Sequence, residues 1–176
     1  MEPKGLDDAP NRTMMQSIEA VRASYRPKRV TTLFVGESAP NSGTFFYLGN
    51  TALAQQMDHA MEAACLTGTG DFRERFKAYG WYLDDLVLTP VNQMPSAERK
   101  KTCREAQKSL AGRIAEYQPQ AIVSLLLSIK EIVEAAADEA GSSAPRFAVP
   151  FPGNGQQGRF QKAMAQIIQH LPRESG

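Results

Sequence analysis

Cysteine and histidine are scarce in this chain of 176 residues: Cys65 and Cys103, His59 and His170, each standing alone. That scarcity excludes an all-cysteine zinc site, a four-cysteine iron–sulfur cluster and a disulfide framework. Neither sign of charge prevails. Twenty Lys+Arg against 19 Asp+Glu leave a net charge of +1, which rules out a histone-like polycation or an acidic disordered tail but not a local basic face. Long apolar runs are also missing. No stretch approaches the roughly 18 apolar residues that a membrane span needs, and Met1–Pro10 is polar, without the apolar core of a signal peptide. There is no internal repeat and no long linker. The expectation is a protein of a reducing, cytoplasmic compartment, with no metal, no cofactor, no membrane partner and a monomeric state.

What is present suits one domain. At this length a chain buries about 70% of the surface its unfolded form exposes, so no staple is required. Residues 1–12 read as a loose arm and 13–176 as a single domain. Met14, Ile18, Val21 and Tyr25 recur at helical spacing up to Pro27. Four apolar, β-branched runs predict buried strands: RVTTLFVG (29–36), WYLDDLVL (81–88), AIVSLLL (121–127) and 146–149. Between them lie helices marked by Leu53–Ala64, a short one in 71–79, and one long helix capped by Ser96 with the stripe Cys103, Ala106, Leu110, Ile114 and Tyr117. Ser128 and Glu131 read as a capping box for a helix through Ala140, and Phe160 to Leu171 as the last helix. Strand–helix alternation with continuous apolar strands predicts an α/β fold of three layers, α/β/α, around a four-stranded parallel sheet.

In such a sheet ligands bind beyond the carboxyl ends of the strands. Two segments leaving those ends are notable: GESAPNSGTFFYLGN (36–50), with three consecutive aromatics, and VPFPGNGQQGRF (149–160), stiffened by prolines and opened by glycines. Gly153, Gly155 and Gly158 match G-x-G-x-x-G, but a dinucleotide fold needs a further strand and an acidic residue about 20 residues on, and this sequence supplies neither. Amides before the last helix could still hold a phosphate.

Taken together and in order, VGESAPNSGTFFYLGN, LDDLVLTPVN and VPFPGNGQQGRF resemble the uracil-DNA glycosylase superfamily. The resemblance runs from Arg29 to Gln169. It implies the same parallel-sheet fold, DNA as partner, flipping of a deaminated or damaged base out of the duplex, and hydrolysis of its N-glycosidic bond in base-excision repair. By position, Gly36-Glu37-Ser38-Ala39-Pro40 falls on the water-activating loop, and Phe46, with Phe45 or Tyr47 nearby, on the aromatic that stacks on the base. Asp85, within a residue of register, falls where Asn commonly reads uracil, with Asn92 just past the strand end. Pro150–Gly155 corresponds to the loop that wedges into the duplex, with Pro152, Gly153, Asn154 and Gly155 toward DNA and Arg159 and Lys162 as phosphate contacts.

The chain departs from the pattern at two places. Ser38 and Ala39 stand where an Asp or Asn commonly activates water, and no histidine lies near Pro150, where many members use one. Cleavage builds positive charge on the sugar and negative charge on the leaving base. Glu37, with Ser38 beside it, is then the candidate for charge stabilisation and water, and amides of 151–155 for donors. An ionised Asp85 offers only acceptors, where Asn offers a donor and an acceptor, so it suits a base edge carrying two donors. Plainer readings stand beside these. Glu37 could cap the next helix or loop, the aromatics could be core, Asn92 could position its loop, and the Arg99–Arg104 cluster could be a solvated face. Two other functions compete: a base-binding module without hydrolysis, and a hydrolase of free nucleosides or nucleotides.

Overall fold

The four apolar runs form one sheet. In a computed structural model describing residues 17–175, the strands are β1 (Thr32–Gly36), β2 (Trp81–Asp85), β3 (Ala121–Ser124) and β4 (Arg146–Ala148). They pair in parallel in the order β2-β1-β3-β4. β1 and β3 have neighbours on both sides and every residue of both is buried, which accounts for their unbroken apolar and β-branched sequence. The predicted strands are wider than those observed, and some of the excess continues as single ladder bonds: Thr31 N–H to Gly80 O, Leu86 N–H to Gly36 O and Leu125 N–H to Val35 O.

Seven helices accompany the sheet among the described residues: α1 (17–24), α2 (Ala52–Ala63), α3 (Phe72–Ala78), α4 (Ser96–Glu105), α5 (Gln107–Tyr117), α6 (Lys130–Glu139) and α7 (Gln157–Ile167). Alternation along β2 assigns them to two faces. Trp81 meets Phe76 of α3, ring centroids 5.6 Å apart, while Tyr82 meets Tyr117 of α5, also at 5.6 Å. α5 packs on α6, and α2 packs on α7. The layers are therefore helix, sheet, helix, as the alternation predicts. No helix among the described residues is long and apolar enough to cross a membrane. Met14 and the predicted arm at 1–12 lie outside the described residues.

Three local expectations are corrected. The single helix from Ser96 to Tyr117 is two, joined at Ala106. The only buried residue of α4 is Cys103, whereas α5 buries Leu110, Ala111 and Ile114, so the stripe is shared between two helices. Ser96 is the first helical residue, Pro95 occupies the cap position, and no side-chain cap bond forms. The Ser128–Glu131 capping box is absent because Leu127–Ile129 already turn as a 3-10 helix, which puts Ile129 in the cap position.

The open edge of β2 is closed by side chains. Leu83 N–H donates to the Tyr47 hydroxyl at 2.7 Å, and Leu83 O accepts from Tyr47 at 3.3 Å and from Arg22 of α1 at 3.4 Å. An unpaired edge row is thereby denied to another strand. At the other end of the sheet Pro172 O accepts from the Thr31 and Thr32 hydroxyls and the Trp81 indole. These bonds tie the C-terminal segment to the amino ends of β1 and β2, beside a cavity of about 540 Å³ lined by Lys28, Arg29, Gly80 and Glu174.

Candidate functional site

Two cavities open near the carboxyl ends of the strands, one on each face of the sheet. The first, about 290 Å³, lies on the α2 face and is bounded by the loop after β1 (Ser38, Ala39, Pro40, Thr44, Phe45, Phe46), the start of α2, Leu83 and Asp85 of β2, and Phe151 after β4. It is at the small end of the ~300–1,000 Å³ usual for small-molecule sites. Residues 36–50 from the first loop and 149–160 from the last thus meet at one place.

Its walls follow from the local sequence. Phe46 opens a 3-10 turn (Phe46–Leu48) and packs edge-on against Tyr47 and Phe72. The Asn50 side chain accepts Phe45 N–H at 2.9 Å and closes the loop. Phe45 and Phe46 both line the cavity, while Tyr47 points away: it is 1% exposed, stacked on Tyr25, with its hydroxyl committed to Leu83. Thr51 caps α2 by accepting Ala54 N–H. The N–H groups of Ala52 and Leu53 make no hydrogen bond among the described residues, and the positive end of the α2 dipole adjoins the cavity.

Among the described residues Asp85 is the one charged side chain in this lining. It is 5% exposed and bonds Arg22 Nη2 through Oδ2 at 2.9 Å. Its Oδ1 lies over Gly36, where a Cβ would come within 2.5 Å of it, so only glycine leaves room for the carboxylate. Burial pushes the Asp85 carboxyl above the usual range, against the pull of the Arg22 guanidinium. Asp84 points to the opposite face, where Arg113 at 2.9 Å and the Tyr117 hydroxyl at 3.1 Å hold it. Arg22 also reaches Asp84 at 3.7 Å. Two guanidinium groups and two carboxylates therefore form one buried cluster, each charge with a partner, as buried ions require.

Glu37 lies in the second cavity, about 450 Å³ on the α4–α6 face. Arg99 grips it with both ends of its guanidinium, Nε lying 3.0 Å from each carboxylate oxygen and Nη2 bonding Oε1. Cys103 donates its thiol proton to Glu37 Oε2 at 3.7 Å. Burial and the adjacent Glu37 charge push the Cys103 thiol up to about 11. Lys100, Arg104, Ser96, Ser128 and Glu131 complete this wall.

The structure thus brings Ser38, Phe46 and Asp85 together around one cavity, over Gly36, and sets Glu37 apart from them. Ser38 Oγ accepts Val91 N–H at 3.2 Å, which leaves its own proton to donate. Asn92 is exposed and accepts Asn41 N–H at 3.4 Å, a tie between the two loops. In the last loop Pro152 is buried, and Asn154 (φ 54°) and Gly155 (φ 79°) form an exposed turn with both residues in the left-handed region. Arg159 and Lys162 are exposed on α7, and Arg159 bonds Gln156 at 2.9 Å.

Three residues of consequence were not among the sequence candidates. Arg22 carried a signal: it stands at i+4 from Ile18 on the face of the apolar stripe, an unusual seat for a cation. Phe151, an aromatic between two prolines, is 43% exposed at the cavity mouth, and Gly153 makes room for its ring. Arg99 gave no sign separating it from its basic neighbours. Among the described residues no group of three or more His, Cys, Asp or Glu is arranged to hold a metal ion. No model of a known protein family matches the chain, and no curated protein matches it significantly.

Proposed function

We propose that this chain is a uracil-DNA glycosylase-like protein that takes a single flipped base into the Phe45–Phe46 cavity and hydrolyses its N-glycosidic bond. The observation that carries the proposal is the convergence, at the carboxyl ends of one parallel sheet, of two aromatic rings, one buried carboxylate and two loops around a cavity sized for a small ligand. A base extruded from DNA is read by stacking and by hydrogen bonds to its edge, which is what these walls offer. Negative charge developing on the departing base meets the amino end of α2, and the Ser38 hydroxyl can donate to water or sugar.

One observation favours a second reading, a base-binding module without hydrolysis. The Glu37 carboxylate is held by Arg99 on the other face of the sheet, and no histidine lines the cavity. Duplex and single-stranded oligonucleotides bearing uracil, hypoxanthine or xanthine separate the two. The hydrolytic reading expects abasic sites, formed about 10²–10³-fold more slowly by Ser38→Ala, the usual effect of removing one strong donor. Salt-sensitive retention of the oligonucleotides without abasic sites overturns hydrolysis and leaves the binding module.

A further inference from the structure

We infer that Asp85, clamped by Arg22 and laid against Gly36, makes the cavity select a base edge that presents N–H donors, a ring N–H beside an amino group, over the edge of uracil. The inference rests on reading this cavity as a nucleobase site. Three observations and one point of chemistry lead to it.

Among the described residues Asp85 is the only charged group in the lining; the other polar side chains there are Ser38, Thr44, Asn50 and Thr51. Its two oxygens are not equivalent. Oδ2 accepts from Arg22 at 2.9 Å, while Oδ1, over Gly36, accepts no hydrogen bond among the described residues. The free acceptor therefore belongs to the cavity. Next, against the burial that favours its protonated form, Arg22 pulls this group toward its ionised, acceptor-only form. Asp84 is served from the opposite face by Arg113 and Tyr117, so the closest bond of Arg22 to a β2 carboxylate goes to Asp85. Last, a carboxylate has no proton to give, and any base edge placed against it must supply the hydrogens.

Uracil offers one ring N–H between two carbonyls. Facing a carboxylate, at least one of those carbonyls meets negative charge without a donor, which is costly in a buried site. A ring N–H next to an amino group, as on a 2-amino-6-oxopurine, places two donors on the same carboxylate. The Ser38 and Thr51 hydroxyls, which accept from Val91 N–H and Ala54 N–H, leave donors for a carbonyl elsewhere on that base.

The test ranks three nucleosides, guanosine, inosine (which lacks the amino group) and uridine, by titration calorimetry against the full chain. In parallel, duplexes carrying one mismatched guanine or one uracil are titrated at fixed salt. Guanosine is expected to bind about tenfold or more tighter than uridine, within the range of one bidentate base contact, with inosine between them. Asp85→Asn is expected to abolish or invert that order. Gly36→Ala, which drives a methyl into the position of Oδ1, should weaken guanosine more than uridine while keeping the Asp85 charge. Equal binding of the three nucleosides, tighter binding of uridine, no nucleoside binding, or an order unchanged in both variants overturns the inference. Should Asp85→Asn fail to fold, the wild-type ranking and Gly36→Ala decide. Duplex binding without a base preference leaves the glycosylase-like reading standing and removes this inference. A nucleoside ranking without any duplex binding does the reverse.

Discussion

Cys103 lies buried on α4 with its thiol 3.7 Å from a Glu37 oxygen that Arg99 also holds. A thiolate there would lose hydration and face a carboxylate, so the thiol form is kept and its titration moves up to about 11. The sign comes from proton counts. Between the ordinary thiol value of 9.0 and about 11 the folded state holds a proton that the unfolded state has released, so stability from this group is complete below that interval and is lost as pH rises through it. With exposed Cys65 replaced by Ser, alkylation of Cys103 should rise with pH toward a midpoint near 11. Glu37→Gln should move the midpoint down, since it removes one of the two charges nearby and leaves Arg99. An unmoved profile would show that Glu37 does not face Cys103 in solution. At this scale the sequence is legible where geometry is local. That Asp84 and Asp85 face opposite sides of the sheet follows from strand alternation alone. The direction of Glu37 does not, because its partner is 62 residues away, and neither does the Arg22 clamp, 63 residues from Asp85.

Among the elements, β2 shows what an edge strand needs. Its Leu83 amide and carbonyl would be unpaired were they not met by Tyr47 and Arg22. Tyr47 is therefore a structural part of the aromatic trio, and Phe45 and Phe46 are free to line the cavity because Tyr47 turns the other way. Tyr47→Phe keeps the ring and leaves Leu83 N–H buried without a partner, at a cost of about 1–3 kcal/mol. Urea unfolding should report that loss as a lower midpoint with an unchanged slope; no loss would mean that water replaces the hydroxyl. The strands were readable because a buried parallel sheet demands continuous apolar runs, and each run starts or ends near proline or glycine. The helix starts were less so. Ser96 and Ser128 have the right chemistry for caps, but Pro95 and a 3-10 turn take those places. Thr51 and Asp71, which do cap α2 and α3, stand in polar stretches that look no different in sequence.

For the whole molecule, a net charge of +1 says little about DNA, since binding depends on where a few cations lie relative to the cavity. Four exposed large apolar residues come after the strands in turn: Leu48 after β1, Leu88 after β2, Leu127 after β3 and Phe151 after β4. These four side chains gather at the carboxyl ends of the strands, while at the opposite end Pro172 O is bonded by Thr31 and Trp81. Arg159 and Lys162 stand on α7 just past the loop that carries Phe151, and neither forms an ion pair among the described residues. If each neutralises one phosphate of a duplex, each contributes about 0.9 to the slope of log affinity against log salt. Replacing both by Gln should therefore lower that slope by about 2 and weaken binding evenly across duplexes of different sequence. The base preference should not change, because neither residue reaches the cavity lining. A slope that stays at the wild-type value would move the phosphate track to another part of the surface. The basic wall of the second cavity, with Lys100 and Arg104, is then the next place to substitute. A lost base preference with the slope intact would mean that these side chains shape the cavity instead of holding the backbone, which their exposed positions on α7 argue against.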